Sequence, residues 1–254
     1  MKLTFLGTGT STGVPQLGCR CKTCTSTDLK DKRLRASVLI EVNGKNIIID
    51  CGPDFYVQMR RNDQFARLDA ALVTHIHYDH VGGVDDLRPF CPPEGFPFYC
   101  TEDVNINLHK HFPYCFVQHP YPGVPHFDLR TIRPYEPFLL FGTTITPLTV
   151  MHASLPIVGY KFGESLAYIT DAKTIPQRTI DSLKGIDTLV LNALRIEPHH
   201  SHLSLSEALD IVAQISPRQA YFTHISHHLG THAEVSKTLP SGVFLAYDGL
   251  KLEL

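Results

Sequence analysis

Five short apolar runs in this chain each end on a side chain that can hold a metal ion: NIIID on Asp50, ALVTH on His75, PLTVMH on His152, LAYITD on Asp171 and AYFTH on His224. A strand is rigid and its carboxyl end opens onto a loop, so groups placed there from several strands can meet on one rim. The repeated position therefore calls for a strand-rich fold whose strands finish on a common side.

The rest of the chain supports such a fold. At 254 residues and 43% hydrophobic, it is long enough for one large α/β or layered domain with a sizeable core. No low-complexity segment, fixed-period repeat or long linker interrupts it, so residues 1–254 are expected to form a single domain. SVLIEVNGKNIIIDCG is the clearest hairpin, because two β-rich runs flank Asn43-Gly44, the pair that a two-residue type I′ turn demands. Further strands are expected at 71–75, 145–152, 157–163, 165–171, 187–194, 220–225 and 243–249. Helices are expected at 53–62, 102–111, 173–184, 204–215 and 231–238. Ser204 with Glu207 three residues on makes a capping box for the fourth of these. The stretch from Pro89 to Pro137, rich in proline and aromatics, reads as an irregular insertion with one helix.

Charge and cysteine content narrow the partners. The formal net charge is −2 and Lys and Arg form no long run, which argues against a grip on long nucleic acid and for a small substrate. The N-terminus MKLTFLGTGTSTG lacks a signal-peptide core, and no apolar run approaches the ~18 residues that span a bilayer. A soluble, cytoplasmic protein without membrane contact is the expectation. Of seven cysteines, three crowd into CRCKTC, and in a reducing compartment that spacing suggests metal before disulfide.

THIHYDHVGG is the strongest single motif. His75 and His77, two apart in an extended segment, can share a face, while Asp79 and His80 lie past a bend and can reach a second position. That suits two ions, since each needs about four to six ligands and a carboxylate can bridge them. Asp171 is the candidate bridge, and His152 and His224 would complete the two sets. Taken alone, either of those histidines would more readily satisfy an ordinary loop hydrogen bond; the motif is what draws them in.

H-x-H-x-D-H followed by single His, Asp and His positions resembles the metallo-β-lactamase fold family of binuclear hydrolases, over essentially the whole chain. The resemblance implies an α/β fold, an αββα sandwich of two mixed sheets packed face to face with helices outside. It assigns His75, His77 and His152 to one divalent metal, Asp79, His80 and His224 to the other, and Asp171 to both, with zinc or manganese as the ions. Asp50, in IIIDCG, matches the aspartate that orients a ligand histidine through its other ring nitrogen.

Cys19, Cys21 and Cys24 need a fourth ligand to close a tetrahedral structural zinc site, and His227, three residues past His224, is the candidate. That spacing spans at most about 10 Å, so the zinc would sit close to the catalytic pair. C-x-C-x₂-C with such a histidine is similar to the cyclic phosphodiesterase group of bacterial phosphonate degradation. The function implied is hydrolysis of a small phosphodiester, such as 5-phosphoribosyl 1,2-cyclic phosphate, by hydroxide generated between two metals. Catalysis would rest on Asp79, Asp171 and His202, the last at the family position for a histidine that steadies phosphoryl charge or protonates the leaving oxygen. Arg88 could contact a second phosphate, although a surface ion pair explains it equally well. His199, His200 and His228 are given no role, and a homodimer stays open. Three alternatives are a tRNA 3′-processing endonuclease, a lactone or thioester hydrolase of the same fold, and a zinc-binding module without activity. The last is disfavoured because storage sites are coordinatively closed.

Overall fold

Successive side chains of a strand point to opposite faces, yet in the run KNIII the residues Ile47, Ile48 and Ile49 are all fully buried. Ile47 and Ile49 enter one hydrophobic cluster and Ile48 another. The strand thus has apolar layers on both sides, which requires a second sheet on one face and helices on the other.

The computed structural model describes residues 1–62, 67–117, 121 and 123–254. In chain order the elements are β1 (Lys2–Gly7), α1 (Lys22–Thr25), β2 (Ser37–Val42), β3 (Lys45–Ile49), α2 (Phe55–Asn62), β4 (Ala70–Leu72), α3 (Tyr78–Val81), β5 (Phe96–Cys100), α4 (Glu102–His111), β6 (Phe127–Thr131) and β7 (Phe138–Leu140). They continue as β8 (Thr143–His152), β9 (Leu155–Phe162), β10 (Leu166–Ile169), α5 (Gln177–Leu183), β11 (Thr188–Asn192), α6 (Leu205–Ile215), β12 (Gln219–Thr223), α7 (His232–Val235), β13 (Val243–Leu245) and β14 (Lys251–Glu253).

Among the described residues, two seven-stranded sheets run in the orders β14-β1-β2-β3-β4-β5-β6 and β13-β12-β11-β10-β9-β8-β7. Both are mixed. The first is antiparallel from β14 to β3 and parallel from β3 to β6; the second is antiparallel from β7 to β10 and parallel from β10 to β13. Phe5, Ile40 and Leu72 of the first sheet meet Tyr160, Phe162, Tyr168 and Val190 of the second in a core between them. Phe55, Met59, Val104 and Leu108 of α2 and α4 cover the first sheet, and Ile180, Leu183, Ala208 and Ile215 of α5 and α6 cover the second. This is the αββα order. Each fully buried Phe or Ile contributes roughly 1.5–3 kcal/mol relative to exposure.

Local chemistry accounts for the element ends. Asn43 and Gly44 turn β2 into β3 with φ of 50° and 73°, as a type I′ hairpin requires. The capping box of α6 is complete: Ser204 N–H donates to Glu207 at 2.8 Å and Glu207 N–H donates back to the serine hydroxyl. α5 starts at Gln177 rather than at 173, because Pro176 holds the preceding residue out of the helical region. α7 stops at Val235, short of the expected 238.

Two expectations need correcting. The stretch from 89 to 137 is no irregular insertion: β5 and β6 add two parallel strands, in register from Phe96↔Phe127 to Cys100↔Thr131. Its scattered prolines and turns hid the short alternating runs; residues 118–120 and 122 of it lie outside the described residues. The expected strands 71–75, 165–171 and 220–225 also end early, at Leu72, Ile169 and Thr223. Asp171 and His224, like Asp50, adopt the left-handed region, with φ of 56°, 55° and 63°. A side chain with a Cβ is disfavoured there and the ladder cannot continue, so each of these groups swings out of its strand. Among the described residues no helix is long and apolar enough to cross a membrane.

Candidate metal centre

The strand ends converge. Asp171 enters three sets of side chains whose potential ligand atoms lie within 4.8 Å of one another: Asp79, His80 and His224 with Asp171; His75 and His77 with Asp171; His152 and His202 with Asp171. The grouping differs in detail from the expected one, since His152 falls with His202. Its ring still lies 5.0 Å from that of His77 and 5.7 Å from that of His75.

The backbone must pack closely to present this cluster. A Cβ on Gly52 would stand 2.0 Å from Asp79 O, and one on Gly83 would stand 2.1 Å from Gly52 O. Only glycine lets the segment after β3 slide under the α3 turn that carries Asp79 and His80.

Three of the imidazoles are aimed by their Nδ1. Asp50 accepts from Thr74 N–H and the Thr74 hydroxyl, both at 2.8 Å, and from His80 Nδ1 at 2.7 Å. With its proton committed to Asp50, the Thr74 oxygen is free to accept from His75 Nδ1 at 3.0 Å. His152 Nδ1 donates to Asp171 O and Ser201 O at 2.9 and 3.0 Å. In all three the Nε2 is left facing the cluster. Thr74 and Ser201 were invisible as site residues in the sequence; the single signal was their place beside His75 and His202.

Burial and charge make the centre receptive to a cation. His75 Nε2, His80 Nε2 and both ring nitrogens of His224 are buried without a hydrogen-bond partner among the described residues. His224 Nε2 lies 3.1 Å from Asp171 Oδ1 and 3.5 Å from Asp79 Oδ2. His80 Nε2 lies 3.2 Å from Asp79 and 3.4 Å from Asp171. Burial alone would raise the Asp171 carboxyl, but His224 and His80 beside it hold it well below its ordinary range. Asp79 is held low in the same way by His80 and His224 against its own burial. Burial pushes His75 well down, so it stays neutral. Ionised carboxylates among unpartnered imidazole nitrogens form a donor set that fits divalent metals, and orphaned buried polar atoms otherwise have no reason to persist.

His202 stands at the rim, its Nδ1 3.2 Å from Ser201 Oγ and its Nε2 3.6 Å from Asp171. Burial pushes it down to about 3. His199 shares the Ser201 hydroxyl, and His200 is exposed. Arg88 pairs with Asp85, which also accepts from Tyr114 OH, so its guanidinium is already engaged.

The cysteine loop forms a second cluster. Cys19, Cys21, Cys24 and His227 bring their ligand atoms within 4.8 Å of one another. His227 Nδ1 lies 3.4 Å from Cys19 Sγ and 3.3 Å from Cys21 Sγ. The Cys24 N–H donated to its sulfur brings the Cys21 thiol down to about 6, whereas burial pushes Cys24 up to about 11. Three sulfurs and one imidazole nitrogen fit a closed tetrahedral zinc site. His228 is exposed, with its ring 3.9 Å from that of His227.

Comparison with known proteins agrees with this geometry. The family model described as "Beta-lactamase superfamily domain" matches residues 45–225. An octanoyltransferase of Porphyromonas gingivalis is 43% identical over 99% of this chain but only 51% of its own length, so the chain spans about half of that relative. A crystal structure described as a new diphosphatase from the PhnP family superposes with a TM-score of 0.92 at 40% identity, covering 100% of this chain and 97% of that one. Zinc-bound PqqB from Methylobacterium extorquens shares the fold, with a TM-score of 0.84 at 22% identity and full coverage of both chains. The converging strand ends, the two facing sheets and the family match over residues 45–225 together place this chain in the beta-lactamase superfamily domain family, with the metallo-β-lactamase hydrolase fold.

Proposed function

We propose that the chain is a binuclear metal-dependent phosphodiesterase acting on a small phosphodiester such as 5-phosphoribosyl 1,2-cyclic phosphate. The observation that carries the reading is the position of Asp171, one carboxylate common to three sets of histidines. His75, His77 and His152 would hold one divalent ion, zinc or manganese, and Asp79, His80 and His224 the other, with Asp171 shared. Bound there, the ions would supply Lewis-acid activation of water and of a phosphoryl oxygen.

The protein's own groups do the rest. Asp50, Thr74 and the Asp171 and Ser201 carbonyls engage the Nδ1 atoms of His80, His75 and His152, so each ring turns its Nε2 to the centre. The buried walls exclude bulk water and strengthen every charge interaction inside. His202, beside Asp171 at the rim, would present its Nε2 to the departing alkoxide oxygen and supply a hydrogen bond or proton. Cys19, Cys21, Cys24 and His227 would hold a structural zinc that stiffens the segment just after His224. The reading takes residues 1–254 as one catalytic unit.

A specific observation favours a second substrate within the same chemistry. The 40% identical solved structure is described as a diphosphatase, so a phosphoric anhydride linkage is a rival to the cyclic diester. One assay separates these. Zinc- and manganese-loaded protein is given bis(4-nitrophenyl) phosphate, 5-phosphoribosyl 1,2-cyclic phosphate and a nucleoside diphosphate derivative, with Asp171→Ala as the blank. Preference for the cyclic sugar phosphate supports the proposal and preference for the anhydride moves it to a diphosphatase. Silence on all three with metals bound refutes both and turns attention to lactones and thioesters.

A further inference from the structure

The run TLVLN also ends on a polar residue, Asn192, which closes β11 and is fully buried. Its carboxamide makes two bonds to a single residue. Ala172 N–H donates to Asn192 Oδ1 at 2.8 Å, and Asn192 Nδ2 donates to Ala172 O at 2.9 Å. Ala172 directly follows Asp171, where the chain turns through φ 56°. The same carbonyl, Ala172 O, accepts Leu203 N–H at 2.8 Å, and Leu203 directly follows His202. Asp171 O in turn accepts His152 Nδ1.

One side chain thus joins three parts of the centre: the turn that aims the Asp171 carboxylate, the segment that carries His202, and through Asp171 O the ring of His152. A left-handed turn at a residue with a Cβ persists only where its surroundings over-determine it. A carboxamide with one donor and one acceptor matches the N–H and C=O of one peptide residue, which neither a carboxylate nor an apolar side chain of that size can do.

We propose that Asn192 is a positioning residue for the metal centre, setting the direction of the Asp171 carboxylate and its distance from His202 through Ala172. The proposal rests on the reading of Asp171 as a metal ligand. Asn192 itself is placed against neither metal nor substrate.

The test is zinc affinity, measured by chelator competition without substrate. The cysteine cluster of the same chain serves as internal reference, and Leu189→Ala, buried on the same strand and without a bond to Ala172, serves as control for lost packing. In Asn192→Ala the His/Asp centre is expected to lose about tenfold in affinity, the lower end of what outer hydrogen-bond partners of ligands contribute. The cysteine cluster should be unchanged, and Leu189→Ala should melt earlier yet bind zinc as the wild type does. Wild-type affinity in Asn192→Ala, or an equal loss in Leu189→Ala, overturns the proposal. Should Asn192→Ala fail to fold, Asn192→Asp keeps the acceptor for Ala172 N–H but sets a carboxylate oxygen against Ala172 O where the donor stood, and wild-type zinc affinity in that variant overturns it equally. Because no substrate is involved, failure here leaves the phosphodiesterase reading intact, and inactivity on every phosphodiester leaves this proposal standing.

Discussion

His80 and Asp50 are joined by a 2.7 Å bond from imidazole Nδ1 to a carboxylate oxygen, and neither side chain is exposed to solvent. The pair sits under the centre as its anchor, since the same carboxylate also receives both donors of Thr74. Asp50→Asn keeps the volume but puts an N–H where an acceptor is needed. Metal affinity at the His/Asp centre should fall about 10–100-fold, read by chelator competition, with a loss of roughly 1–3 kcal/mol in urea unfolding of the metal-free protein. Unchanged affinity would remove Asp50 from the centre.

Asp171→Ala deletes the carboxylate common to all three histidine sets. Turnover should drop to the rate measured without protein, and elemental analysis should find less metal at the His/Asp centre while zinc at the cysteine cluster is retained. Activity at the wild-type level would sink the assignment of Asp171.

His202→Ala should separate substrates by their leaving groups. Nitrophenolate departs without help, so the aryl diester should be hydrolysed at nearly the wild-type rate. An alkoxide of a sugar needs a proton, and there kcat should fall by about 10²–10⁴. Equal losses on both would point to a binding role for His202 instead.

Cys21 is exposed, so Cys21→Ser removes a ligand with little loss of packing. Dialysis should then strip the cysteine cluster of zinc, and the melting temperature should fall about 2–4 °C for each kcal/mol that the site contributes. A variant that melts as the wild type does would make the cluster dispensable for stability.

Burial pushes the Asp248 carboxyl up to about 6 from its ordinary 3.8, even though Leu34 N–H and the Thr8 hydroxyl donate to it. Between those two values the folded chain holds a proton that the unfolded chain has released. This group therefore makes stability fall as pH rises through that window and adds no slope above it. The difference in urea midpoint between Asp248→Asn and the wild type should grow in favour of the variant from pH 4 to 6 and then level off. A flat difference would show that Asp248 titrates normally.

Much of the centre was legible along the chain because its chemistry is punctual: His75, His77, Asp79 and His80 announce themselves within six adjacent positions after an apolar run. The hairpin at Asn43-Gly44 and the capping box at Ser204 were legible for a similar reason, being local turn and cap chemistry. β5 and β6 were not, since FPFYC and FDLRT are strands only by virtue of the neighbours they pair with.

By itself the sequence determined which groups can meet a metal and that each stands where an apolar run stops. Tertiary structure alone decided that Asp171 is the carboxylate they share, that Asp50 serves His80 and that Asn192 holds Ala172. Those pairings join residues 19 to 96 positions apart. Ligand type is a property of a side chain, whereas the few ångströms that make a site come from packing two sheets face to face so that their strand ends converge, which no local pattern encodes.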